Sequence, residues 1–417
     1  MKSFLRTLTL GAAMALCANI ASAAELTFAT GWGFDFYKVQ IAKFEKATGN
    51  KVKLVHLPAG DDAKVSQYRL WLAAGDNSID VLRMDNIWLP GFANDLVDLT
   101  NATKDVISQH VPSIVTALSV DGKLLAMPME ADAPLLYYRK DLLEKYGKVP
   151  PKTWDELTAI AREIQDKERA AGNPDMWGYL FQGKGTEELT CNALEWIKSS
   201  GGGSIVDPDG TISINNKKAI AAIDRAKGWI DTISPPGALA YDSEAARGVW
   251  QVGNGVFLRN WVYIWGLSDA ADSPIKGKFS GVPLPADPDA QSAPCLGVKG
   301  NAVSKYSEHQ KEAIEFVKFL ASEEVQKDNV LQNGALPTLP TLFDDKDIVA
   351  AQPYMPTMKG VLENGLVRPS AIMKAKYNEA STNFWTVVND TLAGKGSAAD
   401  NLERLEVQLT NLKGSGW

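Results

Sequence analysis

Short apolar runs alternate along this chain with longer segments in which apolar residues return every three or four positions, the rhythms of strands and of amphipathic helices. Leu26 to Ala29 predicts a strand; Phe36, Tyr37, Ile41 and Phe44 then fall on one helical face, and Thr48-Gly49-Asn50 stops the helix. Val52 to Leu57 predicts the next strand, Asp61 to Ala74 a helix ended by Gly75, Ile79 to Met84 a buried strand, and Gly91 to Leu99 a capping segment. This β-α-β-α-β opening predicts an α/β fold. Farther on, Lys123 to Met129 predicts a strand, and Thr153-Trp154-Asp155-Glu156 is a capping box opening a helix with Trp154, Leu157, Ile160 and Ile164 on one face. The texture then changes to Gly201-Gly202-Gly203, Asp207-Pro208-Asp209-Gly210 and Ser234-Pro235-Pro236-Gly237, turn chemistry between helices that marks a second domain. Gly281 to Leu284 predicts a strand, Ala313, Phe316, Val317 and Leu320 predict a helix ending near Glu324, and the remainder is mainly helical. No internal repeat emerges, which excludes solenoids and propellers.

Length and composition narrow this further. A chain of 417 residues, 45% hydrophobic and 22% charged, has globular proportions and room for two or three domains. Its first 23 residues read as a secretory signal: Lys2 and Arg6, an apolar run from Leu8 to Leu16, and an Ala21-Ser22-Ala23 cleavage site. A lipid anchor at Cys17 is disfavoured because Leu16 stands where a small residue is needed. Cleavage near Ala23 takes the formal charge from −7 to −9 and predicts a periplasmic protein. No basic cluster suggests nucleic acid. His56, His110 and His309 and the three cysteines are scattered, so neither metal nor other cofactor is expected. Cys191 and Cys295 could pair in an oxidising compartment, but Cys191 sits in an apolar helical pattern, which favours a buried free thiol. Twelve Trp and 11 Tyr suggest a ligand with flat apolar faces.

Enzyme motifs are silent. A nucleophile elbow, a phosphate loop and a zinc-protease helix are all missing from the sequence. Polar residues mixed with aromatics instead follow predicted strands: Asp35 with Trp32 and Phe36, Asp85 with Trp88, Glu130 and Asp132, and Asn260 with Trp261, Tyr263 and Trp265. Ligands of α/β sheets bind outside the carboxyl ends of strands, so these are candidate contacts. Each also has a plain reading as a helix cap or a packed ring.

The blocks Ala133-Pro134-Leu135-Leu136-Tyr137-Tyr138-Arg139-Lys140-Asp141-Leu142-Leu143, Arg259-Asn260-Trp261-Val262-Tyr263-Ile264-Trp265-Gly266-Leu267 and Asp272-Ser273-Pro274-Ile275-Lys276-Gly277-Lys278 resemble the extracellular solute-binding proteins that feed carbohydrate ABC importers. The trehalose/maltose-binding branch is the nearest likeness, running from about Glu25 to beyond Arg368. The resemblance implies a two-lobe periplasmic binding fold of type II, with three hinge crossings, near 131–134, 281–285 and 333–339, and an interlobe cleft. It implies an N-terminal lobe of 24–132 plus 284–335 and a C-terminal lobe of 133–283 plus 336–417. It also implies a monomer that captures a small carbohydrate and delivers it to ABC permease transmembrane subunits. A secreted glycoside hydrolase with paired carboxylates, or a sugar sensor docking to a chemoreceptor, are the alternatives.

Residue by residue, the resemblance assigns Asp85 and Asp132 as carboxylates accepting from sugar hydroxyls, Trp261 as a stacking platform and Arg368 as an arginine reaching the cleft. Asp35 lies near a first-helix contact, although Gly31-Trp32-Gly33 replaces a different loop. Trp265 is assigned to the core. Two departures matter: Glu130 stands where that branch has a tyrosine, and Gly297-Val298-Lys299 replaces a second stacking tryptophan. If Lys299 and Arg368 both face the cleft, an anionic sugar derivative joins glucoside-type disaccharides and glycosyl-polyols as a candidate. Alternatively, Glu130 and Lys299 pair with each other.

Overall fold

The computed structural model describes residues 23–417 apart from residue 59. The predicted leader and Cys17 therefore lie outside the described residues. Among the described residues eleven strands form two mixed sheets and a hairpin. They are β1 (Glu25–Thr30), β2 (Lys51–His56), β3 (Val81–Asp85), β4 (Ser119–Val120), β5 (Lys123–Leu124), β6 (Met127–Asp132), β7 (Pro134–Arg139), β8 (Trp177–Leu180), β9 (Gly255–Trp261), β10 (Phe279–Val282) and β11 (Gly297–Val303). The first lobe is built on the sheet β2-β1-β3-β11-β6, the second on β10-β7-β9-β8. In the first sheet β2 and β3 run parallel to β1, whereas the late strand β11 enters antiparallel between β3 and β6.

Helix Phe34–Thr48 follows the predicted stripe, burying Phe36, Tyr37, Ile41 and Phe44. It stops at Gly49, whose φ of 81° is open to glycine and strained for other residues. Tyr37 and Phe316 close on Phe28 of β1 at 4.9 and 5.6 Å, joining early and late chain in one core. The capping box forms as read: the Glu156 amide donates to Thr153 Oγ1 at 3.1 Å, and the Thr153 amide to Glu156 Oε2 at 3.2 Å.

Two expectations need correction. The strand expected over Lys123 to Met129 is broken at Leu125-Ala126, because Lys123–Leu124 folds back on β4 through the positive-φ turn Asp121-Gly122, whereas the chain from Met127 pairs with β11. The pairing strand β6 then runs on to Asp132. The aromatic surplus is also largely core. Trp154, Trp196, Trp229 and Trp250 are fully buried, and Trp154, Tyr179 and Trp196 surround Trp229 at 5.2 to 5.7 Å. Their indole N–H groups mostly find hydroxyls, Trp154 on Ser199 and Trp229 on Thr158. Trp265 packs on Phe279 and Tyr354, as expected of a core ring.

The chain passes between the sheets at Ala133, between β10 and β11, and after helix Glu323–Asn333. Ala131 and Leu336 exchange backbone hydrogen bonds at 2.9 and 3.2 Å, so the first and third passages lie side by side. Residues beyond the third passage still touch the first lobe, the Val111 amide donating to Thr338 and Ser113 to the Leu362 carbonyl. Helices Tyr377–Leu392 and Ala398–Lys413 then pack on the second lobe. No helix among the described residues is long and apolar enough to cross a membrane.

Candidate functional site

Strand alternation gathers charge on one face of the first sheet. Lys299 of β11 lies in register with Asp85 of β3 and Glu130 of β6, Asn301 with Arg83, and Gly297 with Asp132. In-register residues share a face, so Asp85, Arg83, Glu130, Asp132, Lys299 and Asn301 form a polar layer at the ends of three strands. A bulge after Lys299 lets β11 keep this layer while Gly300 passes the backbone of β6, where a Cβ would meet the Met127 carbonyl at 2.8 Å. Gly297 leaves room beside Asp132; a Cβ there would stand 3.4 Å from Asp132 Cβ.

Within the layer the charges are unequally matched. Glu130 is buried and spent on protein partners: Arg83 donates to it in a close ion pair and Asn329 Nδ2 donates at 2.9 Å. It pairs with Arg83, not with Lys299. Arg83 in turn lies 5.1 Å from the centroid of Trp32, an exposed ring after β1. Asp132 differs from Glu130. Its Oδ1 is buried and has no hydrogen-bond partner among the described residues, and burial pushes its carboxyl up to about 6 against the pull of Lys299. Lys299 is half-buried, and its side-chain ammonium makes no hydrogen bond or ion pair with the described residues.

Arg368 is not a free anion receptor. Only 5% exposed, it donates from Nη2 to Asp85 Oδ1 at 3.2 Å and from Nη1 to Glu187 Oε1 at 2.9 Å. Asp85 closes the first-lobe strand β3 and Glu187 opens the second-lobe helix Glu187–Lys198, so this guanidinium ties the lobes together. The condition set for an anionic ligand, that Arg368 and Lys299 both face it unmatched, fails at Arg368.

Asp35 is not brought to the cleft. In the first turn of helix Phe34–Thr48 its almost fully exposed carboxylate pairs with Lys38 at 2.9 Å, where it favours the helix N-terminus. Trp261 ends β9, half-buried, with the Arg259 guanidinium 4.3 Å from its centroid.

A cavity of about 180 Å³ opens between the lobes, lined by Trp32, Arg83, Asp132 and Lys299 from the first and Val262 and Tyr263 from the second. Trp261 does not line it. Lys64, Arg83 and Lys299 continue into a small space beside Asp85 and Trp88, and Trp88 opens in turn on a groove of about 470 Å³ facing Glu187, Glu188, Asp242 and Trp385. Trp32 and Tyr263 stand among the aromatics the sequence places after strands, without a ligand role assigned to either, and Trp385 carries no such signal. For Trp32 a signal was present, since it follows β1 directly, but Asp35 drew the assignment. Among the described residues no group of three His, Cys, Asp or Glu could hold a metal ion.

The pattern shared by bacterial extracellular solute-binding proteins matches residues 34–327 of this chain. The chain belongs to that family. Over its whole length it is 43% identical to a probable ABC transporter-binding protein of Deinococcus radiodurans, covering 100% of both. Its fold matches that of maltose-bound T. maritima MalE3 with a TM-score of 0.85 at 33% identity, covering 94% of this chain and 100% of that one. A ribitol-bound solute-binding protein from Agrobacterium radiobacter shares the fold with a TM-score of 0.80 at 23% identity, covering 93% and 98%. This solute-binding protein is thus the substrate-binding component of an ABC transporter and not an enzyme, which overturns the glycoside hydrolase alternative. It works outside the cytoplasm, as its family does.

Proposed function

We propose that this solute-binding protein captures a small neutral sugar or polyol in the cavity between its lobes and presents it to permease subunits. The observation that carries this reading is the Asp132 carboxylate, buried at the cleft with one oxygen unpartnered by the described protein. A carboxylate accepts hydrogen bonds without donating any, which suits a molecule offering adjacent hydroxyls. Lys299 supplies donors to the same molecule. Arg368 is paired with Asp85 and Glu187, and Arg83 with Glu130, so neither guanidinium is available to an anionic group. The maltose bound in the T. maritima relative agrees in chemistry. The lobe boundaries proposed are 24–132 with 284–335 and 133–283 with 336–417, supported by sheet membership, although 286–295 bond to the second lobe at Lys152, Ser199, Arg225 and Glu195, and 338–363 touch both. The leader is proposed to be cleaved near Ala23.

Binding works as a population shift. The ligand touches both lobes only when they are together, so it favours the closed arrangement by its differential affinity. Calorimetric titration and thermal shift against neutral disaccharides, polyols and acidic sugars test the reading; a ligand at 100 times its Kd adds about 2.7 kcal/mol of stability. A midpoint raised by a neutral polyhydroxyl compound supports it, and no response to any carbohydrate overturns it. Lys299→Met tests the charge: we expect a loss of about 1–2 kcal/mol for a neutral ligand, similar across neutral and acidic sugars. A far larger loss confined to acidic sugars would make the ligand an anion.

Trp32, which lines the cavity, and Trp261, which directly precedes the cavity-lining Val262, are the tryptophans proposed to contact the ring. Trp32→Ala should weaken binding by about 1–3 kcal/mol while the apo midpoint stays nearly fixed, because the ring is 40% exposed. Trp261→Ala should lower both affinity and midpoint, since its ring also covers the buried Arg259. Unchanged affinity in both variants would remove the aromatic contacts from the site.

A further inference from the structure

We propose that Cys191 and Cys295 are joined by a disulfide that fastens the second interlobe passage to a second-lobe helix. Both cysteines are buried free thiols in this structure, as the apolar helical pattern around Cys191 predicts, but Cys295 Sγ stands 2.8 Å from Cys191 Sγ although 104 positions separate them in sequence. Cys191 lies in helix Glu187–Lys198, and Cys295 lies in the passage from β10 to β11. The pair is held in place from several sides. Glu195, one helical turn after Cys191, accepts the Cys295 amide on Oε1 at 3.1 Å. On its other side, the Leu366 amide donates to the Pro294 carbonyl at 2.8 Å and the Leu296 amide to the Leu366 carbonyl at 2.9 Å. Residues 294–296 are thus gripped between a helix and the strand-like segment at Leu366. No titration or binding step of the solute site uses either thiol.

The family acts outside the cytoplasm, where protein disulfides persist. Burial holds the Cys295 thiol well above its ordinary pKa, which suppresses the attacking thiolate once the fold is complete. The bond therefore forms before burial, during folding after export, by thiol–disulfide exchange. One cysteine thiolate attacks a disulfide oxidant, either a protein or a small-molecule disulfide, and releases one of its sulfurs as a thiol. The second cysteine then displaces the other. The S–S bond between Cys191 and Cys295 replaces the oxidant's, whose two sulfurs leave as thiols carrying the two electrons and two protons. One mechanical consequence follows. With β10 in the second sheet and Cys295 fixed to a second-lobe helix, the bend in this passage falls at Leu296-Gly297, where β11 begins.

Peptide mapping of the exported full chain, alkylated during denaturation without reductant, tests the bond directly. Cleavage after lysine leaves Cys191 in peptide 185–198 and Cys295 in peptide 279–299. The expected result is one linked pair that separates on reduction, together with a melting midpoint about 5 °C or more lower after reduction. Recovery of both peptides alkylated as free thiols overturns the proposal, whatever the solute site binds. Cys191→Ser is the companion measurement: its midpoint should match that of reduced wild type and be indifferent to reductant, and a reductant response persisting in it counts against this pair.

Discussion

Arg259→Met should cost about 3–5 kcal/mol of stability and lower the melting midpoint by roughly 5 °C. Arg259 and Glu195 are completely buried partners. The guanidinium donates from Nε to Glu195 Oε2 at 2.8 Å and from Nη1 to Gln182 Oε1 at 3.0 Å. The network is closed further by Gln182 Nε2 on the Arg259 carbonyl and Asn192 Nδ2 on Gln182. Removing the cation alone strands a desolvated carboxylate that keeps the hydrogen bond from the Cys295 amide. Burial already pushes the Glu195 carboxyl above the usual range even with Arg259 present, so the variant should fold with Glu195 protonated and lose stability as pH rises. The double variant Arg259→Met/Glu195→Leu should recover much of the loss, because an apolar pair leaves no buried charge. Thermal unfolding of the three proteins checks this. A loss below about 1 kcal/mol in Arg259→Met would show that the pair contributes little beyond its volume.

That residue also shows what one-dimensional reading misses. The block around Arg259-Asn260-Trp261 pointed to a binding site, yet Arg259 is core and Asn260 is buried, holding the Ser243 carbonyl at 3.0 Å. Local patterns were legible wherever the cause was local. The stripe Phe36, Tyr37, Ile41 and Phe44, the Gly49 stop and the Thr153 capping box each depend on neighbours within a turn or two. The turn at Asp121-Gly122 is equally local, but an apolar run following directly behind it suggested one continuous strand.

Partners far apart in sequence were not legible. Arg368 reads as an anion receptor until Asp85 and Glu187, 283 and 181 positions away, are found on its two ends. Glu130 could be matched with Lys299 or a ligand on paper, because Arg83 becomes its partner only through the order of β3, β11 and β6. The surplus of tryptophan divides in the same way. Composition cannot separate Trp229, enclosed by four rings, from Trp32, which stands open at the cleft.

Asp132→Asn separates the site from the fold most sharply. The buried Oδ1 has no described protein partner, so the apo protein should lose nothing and should gain stability at neutral pH when the charge is removed. Sugar affinity should fall by about 2–3 kcal/mol, some 30- to 150-fold, because charge-assisted bonds to two hydroxyls become neutral ones and the amide nitrogen cannot accept. The pH dependence has a definite sign. With the folded carboxyl at about 6 against an ordinary 3.8, the native state holds the proton more tightly than the unfolded chain. Its contribution to stability is therefore full below about pH 4 and is lost as pH rises through 6. Ligand hydroxyls favour the ionised form, so affinity runs the other way, holding above about pH 6 and declining below it by up to tenfold per unit. In Asp132→Asn both slopes should flatten. Affinity measured by titration calorimetry from pH 5 to 8 decides the matter: a wild-type profile without a break near 6, together with an unweakened Asp132→Asn variant, would take this carboxylate out of the binding site.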